Sequence, residues 1–188
     1  FLIGMPYGSI SGLMGGRVDN FMMRIVEIIN GIPYLIVVIL LMVVMPPGLL
    51  TIVVALALVG WTSLARLVRG QVVQIKEQEY VIAAATMGAS RGRIVRRHIL
   101  PNTLSVVIVN LTMSIPAAIF TESFLSYIGI GVTQPMTSWG SLCEAGKASI
   151  FTNPQLLFIP AAFISLPMLS FNLFGDALRN VLDPRMRR

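Results

Sequence analysis

The sequence is short of charge. Only 12% of its 188 residues are Asp, Glu, Lys or Arg, where a soluble domain carries about 25%. With 55% hydrophobic residues and a mean hydropathy of +0.81, that scarcity argues against a water-soluble core and for an integral membrane protein. Cysteine is nearly absent. Cys143 stands alone, which leaves no disulfide within the chain and no cysteine-based metal site; it reads as a small loop residue. There is one histidine, His98. One His and one Cys cannot build a usual zinc site, and His98 has no evident partner for base catalysis. The two lysines, Lys76 and Lys147, stand outside any Gly-x4-Gly-Lys-Ser/Thr pattern, so the chain carries no Walker A loop. No serine has a nucleophile-elbow context. Together these absences argue against enzyme chemistry in this chain.

Acids are few as well. There are eight Asp and Glu residues, and all except Glu27 fall in connections or at the ends of apolar runs. Secondary carriers usually place ionisable groups or broken helices near the membrane midplane. A self-sufficient carrier or channel is therefore disfavoured, and uphill transport would draw its energy from another subunit. Glu27 lies about one turn inside its run. It could line a pathway, pair with Arg24 or snorkel to the interface. The chain opens at Phe1 inside an apolar run, with no basic stretch ahead of it. It does not read as a signal peptide; it reads as a fragment that has lost upstream sequence.

What the sequence has is apolar runs. Phe1 to Gly16 is apolar, with Gly4, Gly8, Gly12 and Gly16 on one helix face. Such a stripe lets a second helix come close, since association in lipid depends on van der Waals packing. Arg17 to Arg24 reads as a short polar connection. Further runs cover residues 25–45, with Pro33 inside; 49–67, after the Pro46-Pro47-Gly48 turn; 103–120, with Pro116 as an expected kink; and 155–174, interrupted by Pro160 and Pro167. Residues 121–154 read as a long mixed loop. Lys and Arg number two in 17–24, none in 46–48, seven in 66–102, one in 121–154 and four in 176–188. That alternation is the positive-inside pattern for five spans. It places 17–24, 66–102 and the C-terminal tail in the cytoplasm, with 121–154 outside. It also accounts for the net charge of +6 without nucleic acid.

One segment, Lys76 to Asn102, is long, polar and basic. Within it, Tyr80 to Ser90 reads as a short helix, rich in alanine, with Gly92 placed to end it. Tyr80, Ala84 and Met87 share one face; Val81, Ala85 and Gly88 share another. Small residues on an exposed cytoplasmic helix suit docking into a partner's groove. Arg91, Arg93, Arg96 and Arg97 follow, and they suit the anionic inner leaflet. An ordinary positive-inside loop with an alanine-rich helix fits the composition equally well.

The order of residues adds more. Ala83-Ala84, three residues, Gly88, and then His98-Ile99-Leu100-Pro101 resembles the "EAA" coupling loop of ABC-transporter permease subunits. Ile82 stands where that family has Glu, and His98 where it has Ile. Gly15-Gly16-Arg17-Val18-Asp19, Arg66 to Gln71, Ser123 to Gly131, Ser138-Trp139-Gly140, Phe171 to Arg179 and Leu182-Asp183-Pro184-Arg185 are similar to the oligopeptide/dipeptide branch, C-type subunits. The resemblance implies an all-α integral membrane protein, the transmembrane domain of a type I ABC importer. Residues 1–188 would be one permease domain, about five spanning helices of a six-helix core, with 76–102 as its cytoplasmic coupling loop. Tyr80, Ala83, Ala84, Ala85, Gly88, Ala89, Leu100 and Pro101 would couple it to the ATPase. ATP and magnesium would be bound by partner subunits, with no cofactor in this chain. The implied partners are a homologous second permease, two cytosolic ATP-binding subunits and an extracellular or periplasmic peptide-binding protein. The implied setting is the lipid of a bacterial cell membrane. The implied cargo is oligopeptide, with dipeptide, nickel or glutathione as alternatives on the same scaffold.

Overall fold

The computed structural model describes residues 1–182, without the side chains of Arg91 and Leu182. Among them every regular element is helical: α1 (Gly4–Met14), α2 (Gly16–Asn30), α3 (Tyr34–Val44), α4 (Leu49–Lys76), α5 (Glu79–Thr86), α6 (Arg91–Ile94), a π-helical turn (Val95–Ile99), α7 (Leu100–Tyr127), α8 (Trp139–Lys147) and α9 (Gln155–Leu182). Backbone groups in lipid must be paired within their own segment, which leaves helices as the spanning element here. The helix is unbroken from Gly92 to Tyr127. That run, α4 and α9 are each long and apolar enough to cross a membrane, and α2 with α3 qualify together as one broken span.

The expected spans change in three ways. The run 25–45 divides at 31–33, where Pro33 disfavours helix at Ile32 and caps α3 instead. The run 1–16 yields only the 11 residues of α1, because Gly15, at φ +61°, turns the chain. The runs 49–67, 103–120 and 155–174 extend to 28 residues each. Pro116, Pro160 and Pro167 lie inside these helices without ending them. The connection 17–24 is helical throughout, and the loop 121–154 contains the end of α7 and all of α8. Asp183, Pro184 and Arg185, with the rest of the C-terminal tail to Arg188, lie outside the described residues.

The chain forms two compact units. The first contains Phe1–Ile32, Val59–Asn110 and α9 from Arg179. Here α1 lies directly on α4. A Cβ on Gly4 would stand 2.6 Å from the Trp61 carbonyl oxygen; on Gly8 it would strike the Ala65 carbonyl; on Gly12 it would meet Val72 Cβ at 2.8 Å. Three of the four glycines in the expected stripe thus serve close approach. Gly16 meets nothing within 4 Å and begins α2 instead.

Polar bonds fix α2 to the same pair. Asp19 is 6% exposed. It accepts hydrogen bonds from Ser11 Oγ and from Arg69, whose Nε lies 2.9 Å from Oδ1 and whose Nη2 reaches Oδ2. Lys76 Nζ donates to the Gly12 carbonyl at 3.0 Å, a cation at the C-terminal end of α1. Tyr7 donates to the Met22 carbonyl at 2.9 Å, and Thr62 to Asn30 Oδ1 at 2.8 Å.

The second unit holds Pro33–Leu58 and Leu111–Leu178. Val38, Ile52, Ala55 and Leu125 form its buried core, with Tyr34, Leu41 and Ile130 against it. Ser138 caps α8 in a reciprocal bond with Ser141. Gly140 lies on the Ser123 backbone and Gly131 on Ser126, where a Cβ would collide in either case. Trp139 stacks on Phe163 at 4.8 Å between ring centroids.

Two stability predictions follow from the first unit. Gly8→Leu drives a side chain into the Ala65 carbonyl and should cost about 1–3 kcal/mol, while Gly60→Leu, at a site with nothing within 4 Å, should be neutral. Thermal unfolding of the two proteins in detergent compares them directly. Arg69→Met strands the Asp19 carboxylate. Arg69 is 38% exposed, which screens the pair, so the loss should fall near the low end for a broken buried pair, about 3 kcal/mol. Adding Asp19→Asn should recover part of it in the same assay.

Candidate functional site

The basic segment between α4 and α7 is built on a short helix with two fixed ends. Val81 is buried and Ala84 half-buried, and they hold α5 down by one face. Around the rest of the helix Tyr80, Ile82, Ala83, Ala85, Thr86 and Met87 are exposed. Met87 is 82% exposed. Of the three expected docking alanines, Ala83 and Ala85 therefore point outward, and Ala84 turns toward the chain. Met87, on the counted face with Tyr80 and Ala84, is exposed, and so is Ile82, which that counting left aside. Their spacing carries no distinguishing signal, because an alanine-rich helix has no strong apolar face to orient it.

The helix ends at Gly88, four residues before the expected stop. The Gly88 N–H donates to the Ala85 carbonyl at 3.0 Å, and the Ala89 N–H to the Ala84 carbonyl at 3.0 Å. This is a Schellman closure, which needs a left-handed residue at its centre. Gly88 supplies it at φ +86°. A Cβ there would meet nothing within 4 Å, so the requirement for glycine is conformational and not steric within this chain. Ser90 belongs to the next element. Its Oγ accepts from the Arg93 N–H at 3.4 Å, at the start of α6. Gly92 is helical and ends nothing.

A cluster of side chains ties the two helices together. The rings of Tyr80 and His98 lie 5.7 Å apart, tilted. Asn102 Nδ2 donates to the His98 carbonyl at 2.7 Å and reaches the Tyr80 hydroxyl at 3.4 Å. His98 is thereby an aromatic neighbour of Tyr80. The π-helical turn Val95–Ile99 precedes Pro101. A proline ring crowds the carbonyl four residues back and offers that carbonyl no N–H. Widening the turn relieves the crowding, and the Leu100 N–H bonds to the Val95 carbonyl instead. Leu100 is half-buried and Pro101 exposed at the start of α7. Arg93, Arg96 and Arg97 are exposed beside them.

Two other residues resolve more simply. Arg24 Nη1 donates to Glu27 Oε2 at 2.9 Å, and both are exposed, so Glu27 is paired on the surface. Cys143 lies inside α8, buried, with its thiol toward the Leu157 carbonyl. Burial pushes that thiol above its ordinary pKa, so it should react slowly with a thiolate-selective maleimide near neutral pH until the chain is unfolded.

The chain as a whole is similar to known proteins. Residues 4–188 match the family described as "Binding-protein-dependent transport system inner membrane component". The dipeptide transport system permease protein DppC of Bacillus subtilis is 54% identical over all of this chain and 59% of its own length. The oligopeptide transport system permease protein OppC of the same organism is 50% identical over all of this chain and 61% of its own. OppC of Escherichia coli K12 is 44% identical over 92% of this chain and 57% of its own. The chain thus spans about three fifths of these relatives. A chain of the MetNI methionine ABC transporter, solved in inward-facing conformations, superposes with a TM-score of 0.76 at 19% identity, covering 97% of this chain and 87% of that one. This likeness establishes a shared fold, that of a type I ABC importer transmembrane domain. The chain belongs to the family of binding-protein-dependent transport system inner membrane components.

Proposed function

We propose that this chain is the core of a permease subunit in an ATP-driven peptide importer of a bacterial cell membrane. The observation that carries the reading is α5: a short helix with most of its surface exposed and both ends fixed, in a chain that has no nucleotide-binding loop. On this reading residues 1–188 are one permease domain, and 76–102 its coupling loop. Tyr80, Ala83, Ala85 and Gly88 meet a cytosolic ATPase, and Ala84 and Ala89 shape the helix that presents them. Leu100 and Pro101 set the turn behind it. Two ATP-binding subunits supply ATP and magnesium. A second permease subunit completes the pore, and an external binding protein delivers the cargo. Residues 17–24, 66–102 and the tail face the cytoplasm.

Ile82 sits exposed on α5, where the family pattern has an acid. Any ion pair from that position is replaced by apolar contact. Among cargoes, peptide is favoured by the names of the relatives, which are dipeptide and oligopeptide permeases. Peptide length is the open variable between them, and purification of the assembled transporter with its binding protein, followed by identification of the bound ligand, would fix it. Copurification of an ATPase separates this reading from a self-sufficient channel or carrier.

Gly88 gives the sharpest test. Gly88→Ala should weaken the helix end by about 1 kcal/mol and leave partial uptake. Gly88→Glu adds bulk and charge at the docking end. It should insert in the membrane normally yet uncouple ATP hydrolysis from uptake in reconstituted vesicles. Full peptide uptake by Gly88→Glu would overturn the coupling role.

A further inference from the structure

α2 has three sides. Successive helix residues are about 100° apart, which puts Asp19 and Val26 on one side, and both are buried in the first unit. Val18, Phe21, Ile25 and Ile28 make a stripe on a second side. Phe21 is 69% and Ile28 64% exposed, and Val18 is exposed as well. Arg17 and Arg24 are seven residues apart and line the border of that stripe, both exposed. Beyond them, on the third side, Asn20 and Glu27 open onto a cleft of about 300 Å³ shared with Met23, Arg66 and Arg69. The order around the helix is interior, apolar, cationic, polar.

Two observations bear on the apolar stripe. First, α2 does not cross a membrane by itself. Its 15 residues reach about 22 Å, short of a hydrocarbon core of about 30 Å. It meets the composition for a span only together with α3, across the break at 31–33. After the break at 31–33 the sequence runs on into α3, whose 11 residues, Tyr34–Val44, are apolar throughout. Second, the arginines stand at the border between apolar and polar sides. That is where long cationic side chains sit when the apolar side enters acyl chains and the guanidinium stays with headgroups. Glu27 offsets Arg24 in part through their ion pair. Arg17 pairs with no acid among the described residues.

We propose that α2 is an interfacial helix that binds anionic phospholipid of the inner leaflet. Arg17 and Arg24 meet headgroup phosphate, and Val18, Phe21 and Ile28 enter the acyl boundary. This rests on the cytoplasmic placement of 17–24 proposed above, and not on the cargo. The alternative occupant is protein, either a partner subunit or another segment of the full-length chain.

The test uses the full-length transporter in native-composition membranes, with p-benzoylphenylalanine in place of Phe21. On illumination the probe should form adducts with phosphatidylglycerol or cardiolipin, identified by mass spectrometry. Arg17→Gln should lower the anionic share of those adducts roughly threefold to fivefold, and adding Arg24→Gln should lower it further. An adduct to a polypeptide, no adduct at all, or lipid adducts indifferent to both arginines would each overturn the proposal. Sidedness is read separately by labelling Asn20→Cys with an impermeant maleimide. Labelling from the cytoplasmic face only, without lipid adducts, would sink the lipid proposal alone. Labelling from the outside would sink the cytoplasmic placement together with it.

Discussion

A carboxylate taken out of water must be surrounded by donors, and the first unit is assembled so that Asp19 is. Ser11 comes from α1, Asp19 from α2 and Arg69 from α4. The three helices can meet there only because α1 has no side chains where it crosses α4. Gly4, Gly8 and Gly12 remove them. The sequence repeat and the ion pair are thus one device. The glycines set how near α1 comes, and that nearness places Ser11 on the Asp19 carboxylate while Arg69 bridges both its oxygens. Lys76, about two turns past Arg69, is drawn onto the Gly12 carbonyl near the end of α1 by the same approach. Arg69 and Lys76 are thus both engaged in the part of α4 that extends beyond its apolar stretch.

The second unit combines close approach with serine hydroxyls. Gly131, Gly140 and Gly146 each rest on backbone or a serine side chain, and the hydroxyl of Ser126 accepts from the Val132 N–H while donating to Glu122. The motifs Ser123 to Gly131 and Ser138-Trp139-Gly140 are therefore packing motifs. Small residues let α8 fold back on the end of α7, and Trp139 and Phe163 flank that contact. No catalytic or ligand-binding role is needed to explain their order.

Much of this was legible before the fold. The three long spans, the Pro46-Pro47-Gly48 turn, the close-packing glycines and the exposed loop helix all follow from hydropathy, turn residues and spacing. The errors share a cause. Hydropathy reports where lipid is, and not where a helix stops. It therefore missed α2, whose polar residues face a cleft or pair with α4, and it missed α8 altogether. The end of α5 was misplaced for a different reason. Gly88 and Gly92 are both glycines within the segment, and only the hydrogen bonds to Ala84 and Ala85 tell which one closes the helix. Which face of α5 is anchored was not legible either: Ala84 and Met87 share a counted face, yet Ala84 is half-buried and Met87 exposed, because an alanine-rich helix has no strong apolar stripe to orient it.

The π-helical turn before Pro101 sets the angular phase between α6 and the first turns of α7. One extra residue in the turn offsets every side chain on α6 by about 100° relative to those on α7. Face assignments counted straight through Val95–Ile99 at 3.6 residues per turn are therefore out of phase on one side of it. The meeting of His98, Asn102 and Tyr80 exists in that shifted phase. Deleting a single residue from the turn would restore the crowding that Pro101 imposes on the carbonyl four residues back, and it would swing the arginines to another azimuth around the first turns of α7.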